Sequence, residues 1–375
     1  MSVSYISDWV KFCLWGKAAG RCQYEACNRP LYRDDATQAE FNSAYIAHIV
    51  ADKPNGPRGH PTLSEALKSD IHNLMLLCDS HHRLIDKIDV AGHPVVRLQE
   101  MKRQHEDRIE LLTSISVERH SQVLLYGAKI GQHDSQLSFQ KAAVAMVPDY
   151  YPATSKALEI GLKGSAIGDA EQDFWTMELT QLRRQFAALV KPHFTSGDFS
   201  HLSVFALAPM PLLIELGRLL SDIPTAKVYQ LHREPADWKW RERPKQFAYQ
   251  IHRPANTSPK RVALILALSA DILTERIEMV LEDKVAIWTL THSNPGNDFL
   301  QSEVQLREFR RALRDVFNQI KTAHGEDANL HLFPAAPVSA AIEIGRVWMP
   351  KADLPFRVYD QNRATGGFTF ALEIQ

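Results

Sequence analysis

Two stretches of this chain, LSVFALAPMPLLIELGRL (Leu202 to Leu219) and LHLFPAAPVSAAIEIGRV (Leu330 to Val347), align without gaps and agree at eight of eighteen positions. Shared positions include Ala-Pro at 208/209 and 336/337 and the Glu-x-Gly-Arg groups at 215/217/218 and 343/345/346. After a two-residue insertion the match resumes in VYQLHR and VYDQNR. A duplication of this kind restricts the fold sharply, because each copy must be a strand, a corner and an apolar helix, and two copies predict fused, related half-domains. Further pairs follow the same order: RVALILALS before DILTERIEMVLED, and VAIWTL before the long helix around EVQLREFRRALRDVFNQI. Strand-length apolar runs alternating with amphipathic helices predict an α/β layered region with a mainly parallel sheet over residues 120–375.

The region before it has a different character. All four cysteines (Cys13, Cys22, Cys27, Cys78) fall within residues 1–115, a segment that closes on the charged helical stretch VVRLQEMKRQHEDRIELL. A chain of 375 residues with 45% hydrophobic content has room for two packed domains. The apolar run VALILALSADIL is too short and too interrupted to span a membrane, and MSVSYISDWVKFC lacks the basic start of a secretory signal, so a cytoplasmic protein without a membrane partner is expected. In a reducing compartment clustered cysteines point to metal rather than disulfides. Cys22 and Cys27 have four residues between them and Cys78 and His81 two, spacings that let each pair turn toward one ion. Three thiolates and an imidazole predict a closed, structural Zn²⁺ site, with Cys13 left to the core. A helix starting at His81, capped by Asp79 or Ser80, would turn successive side chains about 100° apart, so one ion cannot easily take both histidines. His81 is therefore expected to face the zinc and His82 a second centre, with Asp86 one turn further along.

Upstream of that helix, AYIAHIVAD reads as a strand carrying His48, HPTLSEALKS as a short helix, and DIHNLMLLC as the return of the chain with Asn73. This order, His-Ile, then Asn-Leu-x-x-Leu-Cys, then a His-His pair, resembles the HNH endonuclease family with its ββα-metal fold, over residues 18–90. The resemblance implies His48 as general base, an imidazole being able to take a proton near neutral pH. It implies Asn73 and His82 as the residues that position or ligate a single Mg²⁺ or similar divalent cation. Many relatives carry an acidic ligand directly before the first histidine. Here that position is Ala47, so Asp86 or water is expected to fill the gap. His60 and His72 are given no role.

In open α/β sheets ligands bind beyond the carboxyl ends of the strands, where helix N-termini attract anions. The corners at Pro209 with Pro211, at Pro337 with Ser339, and at Ser269 are such places, and several in a duplicated unit suit a ligand with more than one phosphate. HREPADWKWRERPK sets Trp238 and Trp240 among basic residues, either to stack on a base or to pack as a lid on the core. Asn297 in THSNPGNDF would contact a ligand or cap the following helix. The arginines Arg307, Arg310, Arg311 and Arg314 read as a solvated face or a partner surface.

With these units, the WKW segment and the NPGND loop, the whole chain resembles an HNH-SAVED effector of CBASS, the bacterial anti-phage system that signals through cyclic oligonucleotides. The resemblance implies an α+β chain: residues 1–115 as the HNH nuclease with structural zinc, and residues 120–375 as a SAVED domain of two fused CARF/Rossmann-like halves. It implies a cyclic di- or trinucleotide activator and a homo-oligomer assembled or rearranged on ligand binding. The activated nuclease would then degrade double-stranded DNA with little sequence preference, in abortive infection. The formal net charge of -1 offers no basic field for DNA, which suits an off state whose DNA contacts multiply only on assembly. Two other readings are a restriction-type HNH nuclease with a modified-DNA recognition domain at its carboxyl end, and a non-catalytic zinc-bearing sensor.

Overall fold

The computed structural model describes every residue except 1–4, 132, 134, 162–167, 169, 170, 172, 222, 224, 242–246, 282, 283 and 363–365. The chain divides into two units, Met1–Ser116 and Val117–Gln375. The first begins with α1 (Asp8–Lys17), whose N-terminus is capped by the Ser7 side chain. Strand β1 (Tyr45–His48) pairs antiparallel with β2 (Leu74–Leu77), with Tyr45 opposite Leu77 and His48 opposite Leu74. Between them lie a short helix α2 (Leu63–Leu67) and a tight turn Ile71–Asn73. Helix α3 (Asp79–Arg83) follows β2 at once and widens into a π turn over Leu84–Ile88, and α4 (Val95–Thr113) closes the unit. The helix after β2 therefore begins at Asp79 with Cys78 in the capping position, two residues earlier than the expected start, and neither Asp79 nor Ser80 caps it. Leu14, Leu31, Leu74, Leu76, Leu77, Ile85 and Leu98 fill the core.

The second unit holds two sheets. The first half contains β3 (His120–Gly127), α5 (Phe139–Met146), β4 (Tyr151–Pro152), β5 (Leu158–Ile160) and α6 (Phe174–Gln185), then α7 (Lys191–Thr195), β6 (Leu202–Leu207), α8 (Met210–Leu219) and β7 (Ala226–Val228). Its strands run parallel in the order β4-β3-β6-β7, with β5 also on β3. The second half contains β8 (Tyr249–His252), β9 (Arg261–Ala267), α9 (Thr274–Leu281), β10 (Ala286–His292), α10 (Glu303–His324), β11 (Asn329–Ala335), α11 (Val338–Val347), β12 (Phe356–Asn362) and β13 (Gly367–Ile374). Here the order is β13-β12-β11-β9-β10-β8. The four middle strands are parallel, and β8 and β13 run antiparallel at the two edges.

The sequence repeat is β6-α8-β7 and β11-α11-β12, two strand-helix-strand units of one plan. Its invariant glycines have a common cause. A side chain on Gly217 would overlap the carbonyl of Ile342, and one on Gly345 would overlap the carbonyl of Ile214, so α8 and α11 touch backbone to backbone about these two residues. The invariant glutamates also match. Glu215, fully buried, accepts from Arg218 and from Arg183 of α6 at 2.7 Å; Glu343, also buried, pairs with Arg346 at 2.7 Å and with Arg310 of α10 at 3.1 Å. Each glutamate thus ties its own helix to the long helix beside it. Arg310 and Arg314, expected on a solvated or partner face, instead reach Glu343 and Asp353.

Candidate functional site

Gln23 sets the first cluster. Its backbone N-H donates to the Leu76 carbonyl at 2.9 Å and its side-chain oxygen accepts from the Leu76 N-H at 2.8 Å, which lays the Cys22 segment along the end of β2, next to Cys78. A tight turn with left-handed Ala26 and Asn28 then brings Cys27 round. Because α3 starts directly at Cys78, His81 lies one turn on, with Nδ1 3.2 Å from Cys78 Sγ and 3.6 Å from Cys22 Sγ. The ligand atoms of Cys22, Cys27, Cys78 and His81 all lie within 4.8 Å of one another, and among the described residues this is the one such group of three or more. Thiolates sharing a tetrahedral Zn²⁺ at about 2.3 Å stand about 3.8 Å apart, so the donor set fits that ion. Burial raises the Cys22 thiol far above its ordinary pKa, a cost that a bound cation would remove. Tyr24 stacks flat on His81, centroids 4.0 Å apart, and its hydroxyl bonds His93 Nε2 at 3.0 Å.

The adjacent histidine turns elsewhere. His82 stacks against Tyr45 of β1 at 5.0 Å, and its Nε2 faces Asp86 Oδ2 at 3.3 Å. Burial lowers its pKa, partly countered by Asp86. His48, buried at the end of β1, donates from Nε2 to the Lys68 carbonyl at 2.9 Å, which leaves its lone pair on Nδ1. Arg58 links the two. Its side chain is 5% exposed, and it donates to the Ile49 carbonyl (2.8 Å), the Ile85 carbonyl (2.6 Å), the His48 carbonyl (3.3 Å) and Asp86 Oδ1 (2.6 Å). One guanidinium nitrogen touches both the His48 backbone and Asp86.

The structure narrows two assignments at this site. Of the two roles expected of Asn73, positioning and ligation, its contacts fit positioning: its oxygen accepts from the Val50 N-H at 2.8 Å and its nitrogen donates to the Val50 and Leu67 carbonyls, so it clamps the chain leaving β1. Asp86, suggested in place of the acid missing at Ala47, is ion-paired to Arg58. Arg58 itself was missed, since a lone arginine in the turn NGPRG carries no chemical signature. His60, given no role, accepts from the N-H groups of Thr62 and Leu63 at the start of α2, and His72 is exposed.

In the second unit the strand ends gather several expected residues. The Ser269 N-H donates to the Ala335 carbonyl at 2.8 Å and Gly296, in the loop with exposed Asn297, donates to the Leu268 carbonyl at 3.1 Å, so these two loops meet the end of β11 before Pro337. The loop bearing Trp240 joins them through Arg233 N-H to Asp298 and Arg241 N-H to the Gln301 carbonyl. Trp238 does not join them. It is 5% exposed and packs edge-on to Phe205 at 5.3 Å, because an indole ring buries more apolar area there than it would gain as a charged-loop platform. Ser339 is fully buried, and its N-H and hydroxyl both donate to Gln230 across the repeat, so the first turn of α11 is already partly satisfied. Trp240 is half-buried, edge-on to His232 at 6.0 Å. Its indole N-H and His232 Nε2 are both buried without a hydrogen-bond partner among the described residues.

A duplicated α/β unit whose halves pack through matched helices forms the carboxyl-terminal part of a mixed α/β chain. The sequence profile of the SAVED family, the SMODS-associated and fused to various effectors sensor domain, matches residues 182–374, just over half of the chain. The chain belongs to this family. Among solved structures, the Acinetobacter baumannii Cap4 SAVED/CARF-domain containing receptor with the cyclic trinucleotide 2'3'3'-cAAA is 14% identical, with 74% of this chain and 55% of that chain covered and a TM-score of 0.43. The same receptor with 3'3'3'-cAAA is 13% identical, with 74% and 61% covered and a TM-score of 0.45. The Moraxella osloensis Cap4 receptor is 14% identical, with 74% and 54% covered and a TM-score of 0.38. The match thus spans less than two thirds of each of these receptors, and the family assignment rests on the profile. No curated protein matches the chain. Among the described residues no helix is long and apolar enough to cross a membrane.

Proposed function

We propose that this protein is a cyclic-oligonucleotide-activated, metal-dependent HNH endonuclease that cuts double-stranded DNA in CBASS anti-phage defence. The observation that carries the reading is the union, in one chain, of a SAVED domain with a β1-β2-α3 unit in which Arg58 ties the His48 backbone to Asp86, the carboxylate facing His82, beside a Cys₃His cluster. Cys22, Cys27, Cys78 and His81 would hold Zn²⁺, which would tie β2, α3 and the Cys22 turn together. His48 takes the proton of the attacking water at Nδ1. His82 is the side chain that would hold a divalent cation, Mg²⁺ or similar, an ion that keeps several of its waters when bound. Such an ion, when bound, neutralises charge developing on the scissile phosphate. The activator is a cyclic di- or trinucleotide bound where the Ser269, Asn297 and Trp240 loops converge, and its binding assembles or rearranges a homo-oligomer.

The test is supercoiled plasmid with Mg²⁺ and a panel of cyclic oligonucleotides, using wild-type protein and His48→Ala. Nicking and linearisation by the wild type with one ligand, lost at least a hundredfold in the variant at unchanged zinc content, is the expected result. A second reading, the non-catalytic zinc-bearing sensor, draws on Ala47 and on the Arg58 pairing of Asp86. It expects no cleavage by either protein.

A further inference from the structure

The Arg58 guanidinium spends its donors on four acceptors from two places: the His48 and Ile49 carbonyls where the chain leaves β1, and the Ile85 carbonyl and Asp86 carboxylate just after His82. With four of its five N-H donors committed inside the unit and its side chain 5% exposed, this guanidinium is built into the fold and is not displayed to a ligand. It fixes the separation of the two segments. Asp86, held from one oxygen by Arg58, turns the other toward His82 Nε2 at 3.3 Å. A carboxylate only accepts, so its charge favours a proton on that nitrogen and leaves the His82 lone pair on Nδ1. The Lys68 carbonyl does the same for His48. Carboxylates that orient a ligating imidazole from behind are worth about 10–100-fold in metal affinity.

We propose that Arg58 and Asp86 are positioning residues: Arg58 brackets the two histidine-bearing segments, and Asp86 sets the tautomer of His82, so that His48 and His82 both present Nδ1 to the reaction. Asp86 then orients a cation ligand and is not one itself. This rests on the nuclease reading for its purpose but not for its measurement.

The experiment is nitrogen NMR of ¹⁵N-histidine-labelled full-length protein at slightly alkaline pH, without DNA, comparing wild type, Asp86→Ala, Asp86→Asn and Arg58→Lys. In the wild type, His48 and His82 are both expected to carry the proton on Nε2. Asp86→Ala shifts His82 toward the Nδ1-H form and leaves His48 unchanged, whereas Asp86→Asn, whose amide oxygen still accepts, preserves the wild-type form. Arg58→Lys, with a point charge in place of a planar fork, moves the His82 signal as well. Wild-type His82 protonated on Nδ1, or an unaltered His82 in Asp86→Ala, overturns the proposal. In cleavage assays Asp86→Ala is expected to raise the half-maximal Mg²⁺ concentration about 10–100-fold with zinc content unchanged, and an unshifted Mg²⁺ dependence overturns the role. A wild type that shows the expected tautomers and cuts nothing retracts the nuclease and keeps the geometry, so the two failures are distinct.

Discussion

Cys78 has two duties in this fold. It starts α3, and its thiol completes the cluster with Cys22, Cys27 and His81. Replacing it by serine should remove bound metal and unfold the first unit, because a structural zinc contributes its binding energy directly to folding. Metal analysis should fall from about one zinc per chain toward none, with loss of the first unit's melting transition; retained zinc would refute the assignment. A second residue-scale prediction concerns His331, buried on β11 against the Tyr359 hydroxyl at 3.0 Å, whose pKa burial lowers from 6.5 to about 4. The unfolded chain therefore binds a proton there more readily than the folded one. Its contribution to stability is complete above pH 6.5 and is lost as pH falls toward 4. Melting temperature should drop more steeply over that window in the wild type than in His331→Gln, and parallel curves would count against it. The sequence made the cysteine cluster legible because ligand identity and spacing are local facts. Asn73 reads from sequence as either a positioning residue or a ligand because its type is visible and its partners are not: only the folded chain shows both ends of its amide bonded to Val50.

The pair α8 and α11 shows what a repeat encodes. Gly217 and Gly345 recur because the two helices approach too closely for any side chain, and Glu215 and Glu343 recur because each anchors a neighbouring long helix. Gly217→Ala should cost about 1–3 kcal/mol through overpacking at the contact, and Gly345→Ala a similar amount, read as shifts in denaturation midpoint. Alanine tolerated at both positions would mean that the two helices do not meet there. Strand-helix alternation was plain from apolar runs. Less visible were the antiparallel edges β8 and β13, since direction leaves no mark in a strand's sequence, and β3, whose first residue His120 is followed by the polar pair Ser121 and Gln122. These are buried, and Ser121 is satisfied by Ser203 at 2.8 Å and His201 at 2.7 Å. Such a network hides a central strand from any search for hydrophobic periodicity.

At the scale of the whole molecule, a SAVED domain and a Cys/His-rich unit share one chain of balanced charge. Phosphate neutralisation dominates affinity for DNA, so under the proposed function a first unit without basic excess gains most when several copies act together. A sensor that gathers copies on binding a small anionic ligand would then switch cleavage without altering the catalytic residues themselves. In the strand-end region, Ser269 and the loops bearing Asn297 and Trp240 stand together, with polar atoms of Trp240 and His232 unpaired among the described residues, while Trp238 and Ser339 are taken up by packing and by Gln230. The most direct measurement is the rate of plasmid cleavage as one cyclic oligonucleotide is titrated, set beside its binding to the same protein by calorimetry. Coincident half-saturation of binding and of cleavage is the predicted result; binding without cleavage, or cleavage indifferent to the ligand, would contradict it.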